Sequence, residues 1–228
     1  MRPIHIALAS VICAVALPAP AFASTCFGTS ANGRIENAVA LSDKGANFVP
    51  YSELGVFLGR TYVHATVRDI VEDAYAALSR ELPKVTFVYG ETGLKHGGPM
   101  PPHRTHANGT SVDFMVPVQQ RDGLSVRLPA SPLNHFGYDL EFDKNGKLDD
   151  LRIDFNAIAA HLTQLEKQAR KHRARISRVI FDPELTRHLI ATPQGTRLPS
   201  LPFMKTKPWV RHDEHYHVDF AIDCKNGN

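Results

Sequence analysis

The chain has 228 residues, 43% of them hydrophobic and 21% charged, with a formal net charge of +3. A charge this small, without an arginine-rich stripe or an aromatic nucleic-acid motif, gives no argument for nucleic acid, and none is expected as a partner. No stretch approaches the roughly 18 consecutive apolar residues of a membrane-spanning helix.

In chain order, Met1-Arg2 opens a basic start, Ile4 to Leu17 is largely apolar, and Ala21-Phe22-Ala23 places small residues at the cleavage-determining positions. This pattern predicts a secretory signal peptide over residues 1–23, cleaved after Ala23, with Ala21 as a second cleavage point. Residues 24–228 then form one domain. Cys13 leaves with the signal, and Thr25 is too large for the lipoprotein position before Cys26. In an exported protein the remaining pair, Cys26 and Cys224, reads as a disulfide between neighbouring termini; two free thiols are the alternative.

Val67, Ile70, Val71, Ala74, Ala77 and Leu78 follow helical spacing and predict a helix ended by Pro83. Lys84 to Tyr89 reads as a strand, Gly90 to Pro102 as a Gly- and Pro-rich loop, and Ser111 to Val116 as a strand again. Leu140 to Leu151 predicts a hairpin turning at Asn145-Gly146. Asp143, Asn145 and Asp149 fail the calcium-loop spacing, because the glycine comes too early, and read as a plain turn. Asp154 caps a long helix with Ile158, Leu162, Leu165 and Ala169 on one face. Its basic end, Lys167 to Arg175, reads as a solvated helix terminus favoured by the dipole. Ile176 to Phe181 follows as a strand, Pro183 to Ala191 as a short helix, and Pro193 to Pro208 as a loop. Mixed elements without regular βαβ alternation predict an α+β fold, a central antiparallel sheet flanked by helices.

Two clusters carry the chemistry. The first is His103-Arg-Thr-His106-Ala-Asn-Gly109-Thr-Ser-Val-Asp113. The second is Trp209-Val-Arg-His212-Asp-Glu-His215-Tyr-His217-Val-Asp219-Phe220. On a strand, His215, His217 and Asp219 share one face. A catalytic zinc site uses three protein ligands and keeps a position open for water. His106, Asp113 and His217 are the expected ligands of one zinc ion on the sheet, with Gly109 letting the backbone turn between the first two. His215 lies about 7 Å from His217 along the strand, which suits a general base or an oxyanion donor rather than a ligand. His103 and His212 flank the same centre and could hold substrate or orient the catalytic groups. Asp219 either orients a ligand imidazole or makes a salt bridge. A lone His-x-His or a lone His-x6-Asp is a weak signal; the two together with flanking histidines are much stronger. His64, His96, His135, His161, His172 and His188 read as ordinary histidines.

The segments Gly97 to Asp113 and Pro208 to His217 resemble the penicillin-insensitive murein endopeptidases. These belong to a wider group with lysostaphin-type peptidases, D-alanyl-D-alanine peptidases and the hedgehog amino-terminal domain. The resemblance covers roughly residues 89–116 and 208–220; residues 121–208 carry no recognisable motif. It implies His106, Asp113 and His217 as metal ligands, His215 as catalytic histidine, and His103 and His212 as further active-site residues. It also implies a periplasmic zinc enzyme acting on peptidoglycan stem peptides, typically at the D-alanyl–meso-diaminopimelyl bond, by direct hydrolysis. Arg104 or Arg211 could bind a stem-peptide carboxylate, although each also reads as a surface residue. Rival readings are an L,D-endopeptidase, a carboxypeptidase or an amidase on the same polymer, or a zinc-binding cell-wall protein without turnover. Release into the medium and partners in a secretion machine or in cell-wall assembly are compatible with the same site. N-terminal sequencing of the exported product is expected to begin at Ser24; retention of residues 1–23 would remove the export reading.

Overall fold

The computed structural model describes residues 23–227, so the expected signal peptide lies, but for Ala23, outside the described residues. The eight elements that position the site are β1 (Phe48–Pro50), α1 (Ala65–Glu81), β2 (Phe87–Tyr89), β3 (Ser111–Met115), α2 (Phe155–Lys171), β4 (Arg175–Ile180), α3 (Pro183–Ile190) and β5 (His215–Ala221). All but β1, which was not foreseen, stand close to the boundaries expected from the sequence. The His64 ring accepts from the Thr66 amide at the start of α1, and Asp154 accepts from the Ala157 amide at the start of α2. Pro83 follows the C-cap residue Leu82, where a residue without an amide donor is tolerated.

The five strands form one sheet in the order β4-β5-β3-β2-β1. Pairing is antiparallel from β4 through β2, but β2 and β1 run parallel, so the sheet is mixed rather than wholly antiparallel. The reason is the connection: α1 lies between β1 and β2, and a helical crossover returns the chain in the same direction, which a hairpin cannot.

α1 and α2 cover one face of the sheet. Val67, Ile70, Val71, Ala74 and Leu78 of α1 join Ile158, Leu162, Leu165 and Ala169 of α2 in the core, together with Phe114, Tyr216 and Val218 from the strands. Tyr75 of α1 meets Phe87 and Phe114, and His161 of α2 meets the Tyr216 hydroxyl at 2.5 Å. Each large apolar side chain buried here contributes on the order of 1.5–3 kcal/mol. The alternation that sends Tyr216 and Val218 to the helices sends His215, His217 and Asp219 to the opposite face.

Two local expectations are corrected. The hairpin in the 140–153 region turns at Asp149-Asp150, pairing Lys147–Leu148 with Leu151–Ile153, and not at Asn145-Gly146. Asp143 instead closes a separate turn there, its carboxylate accepting from the Asn145 and Lys147 amides, and so competes successfully with ladder formation. The loop after α3 contains a short 3-10 segment, Gly195–Ser200.

An N-terminal hairpin, Thr25–Gly28 against Gly33–Glu36, was not legible from its short, polar strands. A disulfide joins its Cys26 to Cys224 across 198 residues. The Ala107 amide donates to the Ser30 carbonyl at 2.8 Å, and Asn108 Nδ2 contacts Cys224 Sγ at 3.6 Å. The bridge therefore braces the loop that carries His106. Cys224→Ser is expected to cost about 2–5 kcal/mol of stability in denaturant unfolding, because the crosslink no longer restricts the unfolded chain.

Candidate metal centre

His106 enters from a loop that the backbone holds under constraint. Its own φ is +72° and that of Gly109 is +75°. A Cβ at Gly109 would lie 2.6 Å from Ile35 Cδ1 and 2.9 Å from the His64 amide nitrogen, so only glycine fits. The Gly109 carbonyl accepts from that same His64 amide at 2.9 Å.

Asp113 and His217 meet through sheet register. Residue 217 pairs with 113, 219 with 111 and 215 with Met115, all on adjacent antiparallel strands. His106, Asp113 and His217 are buried, Asp113 completely. Asp113 Oδ1 lies 2.8 Å from His217 Nδ1 and 3.3 Å from His106 Nε2. His106 Nδ1 donates to the Thr92 carbonyl at 3.0 Å, which leaves a lone pair on Nε2. That buried Nε2 has no hydrogen-bond partner and faces a carboxylate oxygen. Two electron-rich atoms set this close in a dry site are complementary to a cation.

The surrounding groups orient these donors. His217 Nε2 contacts Asp219 Oδ1 at 2.9 Å, and Asp219 also accepts from Ser111 Oγ at 2.5 Å and from Arg178 Nε at 2.6 Å. Asp219 thus makes both interactions foreseen as alternatives, orienting an imidazole and forming an ion pair. Burial opposes charge on His217, but Asp219 and Asp113 overcome it and raise its pKa to about 9. Burial also opposes charge on Asp113, yet the neighbouring histidines hold its carboxyl well below the usual range.

His103 Nε2 meets Glu91 Oε2 at 2.5 Å, and its Nδ1 lies 3.5 Å from Asp113 Oδ2. Glu91 is clamped by both arms of Arg60 and by the Tyr51 hydroxyl. His215 Nδ1 meets Glu214 Oε1 at 2.6 Å, while Nε2 lies 3.8 Å from Asp113 Oδ2. Burial pushes His215 down to about 4 and Glu214 up to about 8. His212, likewise pushed down to about 3 by burial, packs at a tilt against His215, ring centroids 4.5 Å apart, with its Nδ1 on the Val210 carbonyl.

Ligand-capable atoms of His103, His106 and Asp113 all lie within 4.8 Å of one another, and the group could hold a metal ion. His217 Nδ1 approaches the same carboxylate, so the structure offers a fourth donor beside that trio. A cleft of about 520 Å³ opens over this centre, lined by His103, His212, His215 and His217 and walled by Leu54, Leu58 and Phe136. Arg104 is not among the lining residues; its guanidinium lies 5.2 Å over the Trp209 ring. Arg211 lines the cleft but is engaged by Asp213, 3.3 Å away, and by the Phe142 carbonyl. His135, set aside as ordinary, stands in the cleft wall.

Three further groups at the centre were missed, among them Glu214, which directly precedes His215 and holds its Nδ1. Glu91 is a carboxylate in the Gly-rich loop directly after β2, and its place just ahead of the first histidine cluster was a usable signal. Tyr138, whose hydroxyl reaches Asp113, carries no sequence signal at all.

The chain belongs to the penicillin-insensitive murein endopeptidases: the family model matches residues 26–228. The family acts on peptidoglycan, and the chain is a peptidase of that class. No curated protein sequence matches the chain significantly. His106→Ala and Asp113→Asn are each expected to abolish metal uptake, read by elemental analysis of the purified variants after dialysis.

Proposed function

Proceeding from that family membership, we propose that the chain is an exported zinc peptidase that hydrolyses the D-alanyl–meso-diaminopimelyl cross-link of peptidoglycan. The observation that carries the metal reading is the unpartnered, fully buried His106 Nε2 aimed at Asp113 Oδ1. His106 Nε2, Asp113 and His217 Nδ1 would hold one zinc ion. The donor set of two imidazoles and a carboxylate suits catalytic zinc, and the Asp219–His217 contact has the form that commonly supports a ligand histidine. When bound, the ion supplies positive charge that polarises the scissile carbonyl and makes water a better nucleophile near neutral pH.

The protein's own groups do the rest. The Glu214 carboxyl fixes His215 through Nδ1, so its Nε2 faces the Asp113 side of the cleft. Burial keeps His215 neutral near pH 7; with its Nδ1–H donated to Glu214 Oε1, the ring's lone pair lies on Nε2, where it would accept a proton from attacking water. Water oxygen bonds to the carbonyl carbon, the C–N bond breaks, and the proton passes to the departing amine. His212 packs at a tilt against His215 and limits its rotation, while His103, held by Glu91, lines the same cleft. Arg104, beside Trp209 and without an ion-pair partner among the described residues, is available to a stem-peptide carboxylate. The Cys26–Cys224 disulfide suits an oxidising compartment, and with the leader pattern supports a periplasmic setting.

His215→Ala is expected to lower turnover of cross-linked muropeptide dimers by at least about 100-fold, a general-base contribution, with zinc retained. Mass spectrometry of the products names the bond. Monomers cut at the D-Ala–diaminopimelate junction support the D,D reading; cleavage elsewhere replaces it with an L,D-endopeptidase, carboxypeptidase or amidase. Intact dimers despite bound zinc would defeat the enzymatic assignment. Replacing His103 and His217 in turn separates the two donor sets, since only loss of a true ligand removes the metal.

A further inference from the structure

The two oxygens of Asp113 have different surroundings. Oδ1 faces His217 Nδ1 and His106 Nε2, at 2.8 and 3.3 Å. Oδ2 faces the other way and is met by the Tyr138 hydroxyl at 3.1 Å. The same hydroxyl accepts from the Glu91 amide at 2.8 Å. A phenol has one proton, and the amide can only donate, so that proton points to Asp113 Oδ2. The imidazoles nearest Oδ2, those of His103 and His215, stand farther off at 3.5 and 3.8 Å.

Tyr138 is brought there by a segment that the chain would not adopt unaided. His135, Phe136 and Gly137 have φ of 45°, 58° and 104°, in a conformation that side-chain-bearing residues disfavour. Asn134 secures the segment: its Oδ1 accepts from the Ser131 and Gly137 amides, and its Nδ2 donates to the Pro129 carbonyl. The Tyr138 ring then stands edge-on to His215, with ring centroids 5.0 Å apart.

We propose that Tyr138 is a positioning residue that ties back Oδ2 of Asp113, so that the carboxylate offers Oδ1 alone to a metal shared with His106 and His217. The assignment rests on the metal reading above. Holding the carboxylate to one oxygen keeps a coordination position free for water or substrate. Without the phenol, Oδ2 is released to swing toward the ion and close that position.

The test uses Zn2+ and Co2+ as probes on the whole protein. Tyr138→Phe is expected to change zinc affinity by roughly 10- to 100-fold in chelator competition, as loss of a group supporting a metal ligand commonly does. In the cobalt-loaded protein the visible d–d band is expected to weaken, because a second carboxylate oxygen raises the coordination number. Tyr89→Phe, which removes a hydroxyl bonded to the Ser42 carbonyl, serves as control and should leave both readings unchanged. Asn134→Ala carries the same test from outside the site: freeing the segment should shift the cobalt band in the same direction. Wild-type affinity and spectrum in Tyr138→Phe, or in Asn134→Ala should the first variant not fold, overturn this assignment alone. Equal changes in Tyr89→Phe also overturn it. A wild-type protein that takes up neither ion overturns the metal reading and this assignment with it.

Discussion

The pairing of β5 with β3 at His217 and Asp113 is the constraint on which the rest of the centre depends. A carboxylate with no solvent exposure is stable only if its lost hydration is replaced by charge and hydrogen bonds, since an unpaired buried charge costs several kcal/mol. Here the replacement comes from the His217 imidazole on one oxygen and from the Tyr138 hydroxyl on the other. A slip of one residue in that register would turn His215, His217 and Asp219 into the helix-facing core and bring Tyr216 and Val218 to the cleft. The apolar face beneath α1 and α2 therefore enforces the register that assembles the polar face.

The remaining donors are held by parts of the molecule that do no chemistry. The N-terminal hairpin, locked by Cys26–Cys224, lies under the loop bearing His106 and hydrogen-bonds to it. Arg60 and Tyr51 fix Glu91, which in turn fixes His103. Asp219, anchored by Ser111 and Arg178, orients His217. In each case a side chain at the centre is held by a partner already committed elsewhere, so little reorganisation remains when a ligand arrives.

Walls and floor of the cleft differ in character. Leu54 and Leu58 bring exposed apolar surface to the cleft, and His212 and His215 bring imidazoles to its lining. Such a cleft suits a ligand that is part aliphatic and part peptide, with the polar groups drawn toward the histidines.

The helices, most of the strands and the two histidine clusters were legible in the sequence because their signals are local. Helical spacing marked both long helices, and strand alternation alone placed His215, His217 and Asp219 on one face. The Asn145-Gly146 hairpin misread a local turn, since the Asp143 side chain captured the amides that a ladder would have used. The direction of each donor atom, by contrast, was set by contacts that form on folding. The partner of His217 Nδ1 lies 104 residues away, that of Ser111 Oγ 108 residues away and that of the Tyr138 hydroxyl 25 residues away. Composition and spacing name the side chains that can hold a cation, but they carry no information about which nitrogen faces inward. That choice is made by the hydrogen bond on the opposite edge of each ring: for His106 the partner is Thr92, from another segment, whereas for His217 it is Asp219 and for His215 it is Glu214, close by on the same stretch of chain.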